Sequence, residues 1–107
     1  MSAFVNQLRA RGDVIQMAAP GAASIIVRVE VPEVWDVVRI AVSPDESVRA
    51  LKVRAIAAAY PAEGDPDELV MKLRGFDVLD EGMSLASTGA VDGSTFLLTH
   101  RRRRPVR

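Results

Sequence analysis

The chain has 107 residues, 49% of them hydrophobic and 26% charged, which fits one globular domain and excludes a disordered one. It holds no cysteine, so disulfides, thiolate metal sites, cysteine nucleophiles and thioester chemistry on this chain are excluded. Formal net charge is zero but uneven: residues 101–107 carry five arginines, while the rest carries nine Lys or Arg against fourteen Asp or Glu. That polarity bears on partners and solubility, not on fold.

No apolar run approaches the roughly 20 residues needed to span a bilayer. The start, "MSAFVNQLRARGDVIQM", has no uninterrupted apolar stretch and predicts no secretory signal. With the absence of cysteine, this points to a reducing, cytoplasmic location. Arginine outnumbers lysine twelve to two, as in proteins of a GC-rich genome. A domain of this size is expected to be stable by only about 5–10 kcal/mol.

In chain order, residues 1–22 read as an N-terminal extension. They read as a frayed leader, the alternative being a short helix marked by Phe4, Val5, Leu8 and Ile15, and "MAAPGAAS" (17–24) reads as a linker around Pro20 and Gly21. Two alternating runs follow. In "IIVRVEVP", Val27, Val29 and Val31 oppose Arg28 and Glu30; in "VVRIAV", Val38, Ile40 and Val42 oppose Arg39 and Ala41. Period-two patterning rich in Val and Ile predicts half-buried strands. The link "PEVWD" predicts an antiparallel hairpin. It lacks Asn-Gly, so the loop should be open, with Trp35 near its tip.

The period then changes. In "SPDESVRALKVRAIAAAYP", Val48, Leu51, Ala55, Ile56 and Ala59 share one helical face. Ser43 with Pro44 and Glu46 fits a capping box, and Ser47 fits a cap one turn later. Pro61 sets the helix end near Tyr60. "AEGDPDE" (62–68) is an acidic loop whose spacing does not match a calcium loop. "LVMKLRG" (69–75) sets Leu69, Met71 and Leu73 against Val70, Lys72 and Arg74, which predicts a third strand. The glycine-bearing stretch up to Ser94 reads as turns, with one very short strand around Val78 and Leu79. "TFLLTH" (95–100) is the last strand, with Phe96 and Leu98 inward. One amphipathic helix covers one sheet face, so the pattern predicts a two-layer α+β domain.

Over about residues 25–101 the chain resembles ubiquitin and the β-grasp ubiquitin-like family. "VSPDESVRALKVRAI" is similar to the family's Pro-acid-Ser/Thr-apolar approach to its helix. "LVMKLRGFDVLDEGMSL" resembles the strand, Gly turn and Leu-acid-acid-Gly-x-Ser/Thr-Leu stretch, and "GAVDGSTFLL" the lead into the final strand. The resemblance implies a ubiquitin-like β-grasp with a mixed sheet of four to five strands on one helix, and it makes Ser47 the cap. It divides the chain into an extension (1–22), a β-grasp domain (23–101) and a basic tail (102–107). The hairpin link is slightly long, and one residue is extra between Gly75 and Leu79. Where conjugated members end in Gly-Gly, this chain has Arg104 and Pro105, and no glycine follows Gly93. Family-type conjugation needs a slim, unhindered tail, so it is not expected of this chain as it stands.

No catalytic constellation is readable. His100 is the single histidine and reads as a partly exposed strand residue. The glycines match neither a phosphate loop nor a dinucleotide fingerprint. By resemblance Lys52 is a packed, structural lysine. The expectation is therefore no enzyme, no cofactor, no metal and no small-molecule substrate.

What remains is surface. The family binds proteins through the outward sheet face around its third and last strands. Carried over, that face is Lys72, Leu97 and Thr99, with Val70 and Trp35 near its edge; Lys72 and Thr99 are polar where ubiquitin is apolar. An exposed Trp would suit an interface centre, the alternative being that it packs on its own domain. Arg101, Arg102, Arg103 and Arg104 could pair with an acidic protein surface, bind nucleic acid or anionic lipid, or stay solvated. Lacking interleaved aromatics, and beside an acidic body, they favour protein over nucleic acid.

The leading reading is a prokaryotic, non-enzymatic interaction module in a secretion or ubiquitination-like system. A second is a noncanonical modifier whose tail enters an activating or conjugating enzyme. A third is a basic-tailed nucleic-acid adapter.

Overall fold

The computed structural model describes residues 14–60 and 65–100. Among them six strands form one mixed sheet: β1 (Val14–Gln16), β2 (Ile25–Val31), β3 (Asp36–Val42), β4 (Leu69–Leu73), β5 (Phe76–Asp77) and β6 (Thr95–His100). Their order is β1-β3-β2-β6-β4-β5. One helix, α1 (Val48–Ala59), packs on one face.

The alternating runs produce the core directly. Val27, Val29, Val31, Val38, Ile40 and Val42 are buried under α1 together with Leu69, Met71, Leu73, Phe96 and Leu98. The helix contributes Val48, Leu51, Ala55 and Ile56. β2 and β6 run parallel at the sheet centre, with Val29 opposite Phe96. A parallel neighbour needs a crossover connection, which α1 and the following segments provide.

Ser47 is the helix cap. It is extended (φ −75°, ψ 153°), and its hydroxyl accepts a hydrogen bond from the Ala50 amide. Ser43 instead accepts from the Asp45 amide in the preceding turn. Two first-turn amides find partners in a distant segment: Val48 donates to the Met83 carbonyl at 3.0 Å and Arg49 to that of Glu81 at 2.8 Å. This docks the irregular stretch after β5 onto the helix start and satisfies groups a helix cannot satisfy internally.

Three sequence expectations are corrected. Ile15 lies in a strand rather than in a frayed leader or the alternative helix: β1 pairs parallel with β3, setting Ile15 beside Ile40, and Ile15 packs against the core. The β-branched pair Val14-Ile15 suits this edge position better than a helical turn. Phe4, Val5 and Leu8, the other residues of that alternative helix, lie outside the described residues. The sheet has six strands rather than four to five. The very short strand is Phe76–Asp77 rather than Val78–Leu79. Arg74 (φ 55°) and Gly75 (φ 85°) both occupy the left-handed region, making a two-residue hairpin turn that returns the chain at once and pairs Leu73 with Phe76. The Val78 amide still bonds the Met71 carbonyl, after which Leu79 turns out into solvent.

Candidate functional site

The sheet face away from α1 is assembled by register. One row of neighbours runs Val37, Glu30, Leu97, Lys72 and Asp77 across five strands. Leu97, half-buried, is thus flanked by an acid on β2 and a cation on β4. The Lys72 ammonium lies 3.7 Å from the Asp77 carboxylate. Thr99 pairs with Val70 one step along. So the expected group of Lys72, Leu97, Thr99 and Val70 does come together on adjacent strands. Val70, however, is only 5% exposed and offers almost no contact area.

Trp35 does the opposite of packing on its own domain: it is 91% exposed. A one-turn 3-10 helix, Pro32–Val34, starts with proline and ends on Trp35, whose amide donates to the Pro32 carbonyl. Trp35 itself is left-handed (φ 56°, ψ 44°), a conformation that costs a bulky L-residue about 1–2 kcal/mol. The loop beneath is fixed. The Glu33 carboxylate accepts from the Tyr60 hydroxyl at 3.0 Å, from the His100 ring at 2.6 Å and from the His100 amide at 3.3 Å. The Tyr60 and His100 rings meet edge-on at 6.3 Å. Burial alone would push Glu33 up; the His100 and Tyr60 hydrogen bonds outweigh it and hold the carboxyl below its ordinary value. Tyr60 is pushed up to about 12, by burial first and then by its bond to the Glu33 carboxylate.

This latch joins the hairpin loop, the end of α1 and the end of β6, and it places Trp35 at the end of the sheet from which the chain continues into Arg101. Arg101, Arg102, Arg103 and Arg104 lie outside the described residues. Sequence reading found Trp35 but missed the latch, because Glu33 and His100 stand 67 positions apart with no local signal linking them. His100 and Tyr60 are both members of the latch. Among the described residues no group of three or more His, Asp or Glu is placed to hold a metal.

Lys52 is fully buried. Its ammonium donates to the Leu69 carbonyl at 2.9 Å and to the Glu81 carboxylate at 2.6 Å, so its role is structural.

No protein-family model matches the chain, and no curated protein matches it. Solved structures do. The ubiquitin of Caldiarchaeum subterraneum superposes with a TM-score of 0.65 at 21% identity, over 76% of this chain and 98% of that one. The fold is the ubiquitin-like β-grasp. A ubiquitin-like domain from Arabidopsis thaliana gives 0.65 at 15% identity, over 85% and 92%. The ubiquitin-like domain of Plasmodium falciparum Dsk2 gives 0.61 at 24%, over 74% and 100%. At these identities the β-grasp likeness is one of fold. β1 lies at the β3 edge of the sheet, ahead of residues 25–101, over which the sequence resembles the family. No helix among the described residues is long and apolar enough to cross a membrane.

Proposed function

We propose that this β-grasp chain is a non-enzymatic protein-interaction module whose contact surface is Trp35 with the outward face of β4 and β6. The observation that carries the reading is Trp35: a large apolar ring, held out in solvent by a strained backbone and a three-residue latch. An exposed indole gains nothing for the fold, whereas a buried indole is a frequent anchor of interfaces. Leu97, Lys72 and Thr99 supply a mixed rim. The Arg101–Arg104 block, following directly on the latch, is assigned to pairing with carboxylates of an acidic partner surface. We assign the module to a prokaryotic, cytoplasmic multiprotein system of the secretion or ubiquitination-like kind, a reading the arginine bias favours. We count β1 with the β-grasp domain (23–101), because it pairs with β3 at the sheet edge.

The test is site-specific photo-crosslinking of the full chain in its own cells, with the reactive group at position 35, 97 or 54. Positions 35 and 97 should capture the same protein and position 54, on the exposed side of α1, should not. Capture from position 54 alone would place the interface on the helix and overturn the reading.

A further inference from the structure

The β3 edge of the sheet is covered by a short segment of the same chain. β1 pairs with it at three positions, Val14 with Arg39, Ile15 with Ile40 and Gln16 with Ala41. Just beyond, the Met17 and Ala18 amides both donate to the Ala41 carbonyl, at 2.8 and 3.1 Å. Ile40 is fully buried, so its neighbour Ile15 lies on the core side of the sheet, where Ile15 and Met17 pack as partly buried side chains. The fully buried residues beside them belong to β2, β3, β4, β6 and α1. Residues 19–24 then round the end of β3 to reach β2, and every one of them is exposed. They form a turn in which the Ala22 amide donates to the Ala19 carbonyl and Gly21 takes φ 80°.

A strand so short, on so exposed a hinge, is the part of the sheet most readily released. Its release opens a row of β3 backbone groups to another strand. The sequence that the structure seats on this edge is Val14–Met17, and a second copy of the chain carries the same sequence. We propose that β1 is an exchangeable strand, the β3 edge of each copy receiving β1 of the other. β1 runs parallel and β2 antiparallel to β3, so straightening residues 19–24 carries β1 past the end of its own sheet, towards the edge of the second copy. The exchange is reciprocal and therefore closes a two-fold dimer. Each β1 finds in the second copy the contacts it leaves in its own, so buried area does not limit the dimer. What limits it is competition from the chain's own strand, which the hinge holds at an effective concentration on the order of 1 mM. The dimer of the natural chain should dissociate in that same range, about 1 mM. This exchange rests neither on Trp35 nor on the outward face of β4 and β6, and crosslinking from positions 35 and 97 tests those separately.

Deleting residues 19–24 from the otherwise full chain removes that competition. Ala18 would then precede Ile25 directly, a step of about 3.8 Å, whereas β1 and β2 lie two strand spacings apart, about 9.5 Å. β1 could no longer seat on its own β3 but could still reach that of a second copy. By sedimentation the wild type should pass from monomer to dimer near about 1 mM, and the deletion variant at a concentration at least about tenfold lower. Adding Ile15→Asp to the deletion should return it to monomer, and circular dichroism checks that each variant is folded. A second measurement needs no deletion. The chain has no cysteine, so a Val14→Cys chain and an Arg39→Cys chain can join these paired positions only between copies. Mixed at about 1 mM with oxidised glutathione, which takes up the two electrons and two protons of the thiols, they should form the mixed disulfide in excess over random pairing. A folded deletion variant that stays monomeric, or a mixed disulfide no more abundant than random pairing gives, would overturn the proposal.

Discussion

Two clusters of ionisable side chains connect helix and sheet, and their surroundings differ. Lys52, Glu81 and the Leu69 carbonyl meet where the lysine is wholly buried and the glutamate nearly so. Glu33, Tyr60 and His100 meet at the rim, with the glutamate and histidine side chains 36% and 53% exposed. The distances are equally short. What separates the clusters is the cost of leaving a member unpaired: high in the interior, low beside water. The buried cluster can therefore only hold the fold, whereas the exposed one can break and re-form without unfolding it. Trp35 is attached to the exposed one.

The strongest way to break this contrast is Glu81→Ala. It leaves the Lys52 ammonium buried with one carbonyl partner, and a loss of about 3–5 kcal/mol is expected. Denaturant titration of the full chain measures it. A loss under 1 kcal/mol would mean that water reaches Lys52 and that the clusters are alike after all. Next in size comes the register on which the sheet face depends. Ile40→Ala should cost about 2–5 kcal/mol because a buried branched side chain leaves a cavity, and half-buried Val37 on the opposite face should cost much less. The reverse order would invert the face that carries Leu97 and Lys72.

The elements that were readable are those whose signal is local. Val27, Val29 and Val31 alternate with Arg28 and Glu30, and the structure buries the first set. Leu51, Ala55 and Ile56 repeat at helical spacing, and they face the sheet. Ser47 could not be preferred over Ser43 from local chemistry, since both are sound caps; the family resemblance chose between them, and the Ala50 amide agrees. Val14–Gln16 is too short to show a period and is a strand only because β3 offers it an edge. Phe76–Asp77 is a strand because Arg74 and Gly75 accept positive φ, which composition does not reveal for arginine. Of the site, strand parity turns Lys72, Leu97 and Thr99 away from the core, and the family resemblance was what set them on one face. The latch needs the fold, since it joins residues 33, 60 and 100.

The exposed cluster should respond to pH at both extremes. Glu33 titrates below its ordinary value, so its contribution is complete above the ordinary carboxylate range and is lost as pH falls through the lowered value. Tyr60 is raised to about 12, so its contribution is complete below about 10 and is lost as pH climbs towards 12. Tyr60→Phe removes one of the bonds that hold Glu33 down, and Glu33 should then titrate closer to its ordinary value. Carboxyl chemical shifts across the acid range measure this. The stability change itself should be at most about 1 kcal/mol, as for other solvated pairs. An unmoved Glu33 would mean that the tyrosine contact does not form in solution.

The smallest expected effect is at Trp35 and concerns sign more than size. An L-residue at φ 56° is strained by about 1–2 kcal/mol, and glycine is not. Glycine loses about 0.5–1 kcal/mol through its freer unfolded chain. The indole, almost fully exposed, gives up little burial when removed. Trp35→Gly should therefore be as stable as the wild type or more stable by up to about 1 kcal/mol, and Trp35→Ala, which keeps the strain, should be less stable than Trp35→Gly. Circular dichroism in a denaturant series resolves this, since the substitution removes the chain's only fluorescent indole. If Trp35→Gly is the less stable of the two variants, the left-handed loop is not strained and the backbone argument for holding an aromatic ring in solvent fails. If it is the more stable, a residue that weakens its own fold occupies the tip of the hairpin, and its presence there is explained by contact with another molecule.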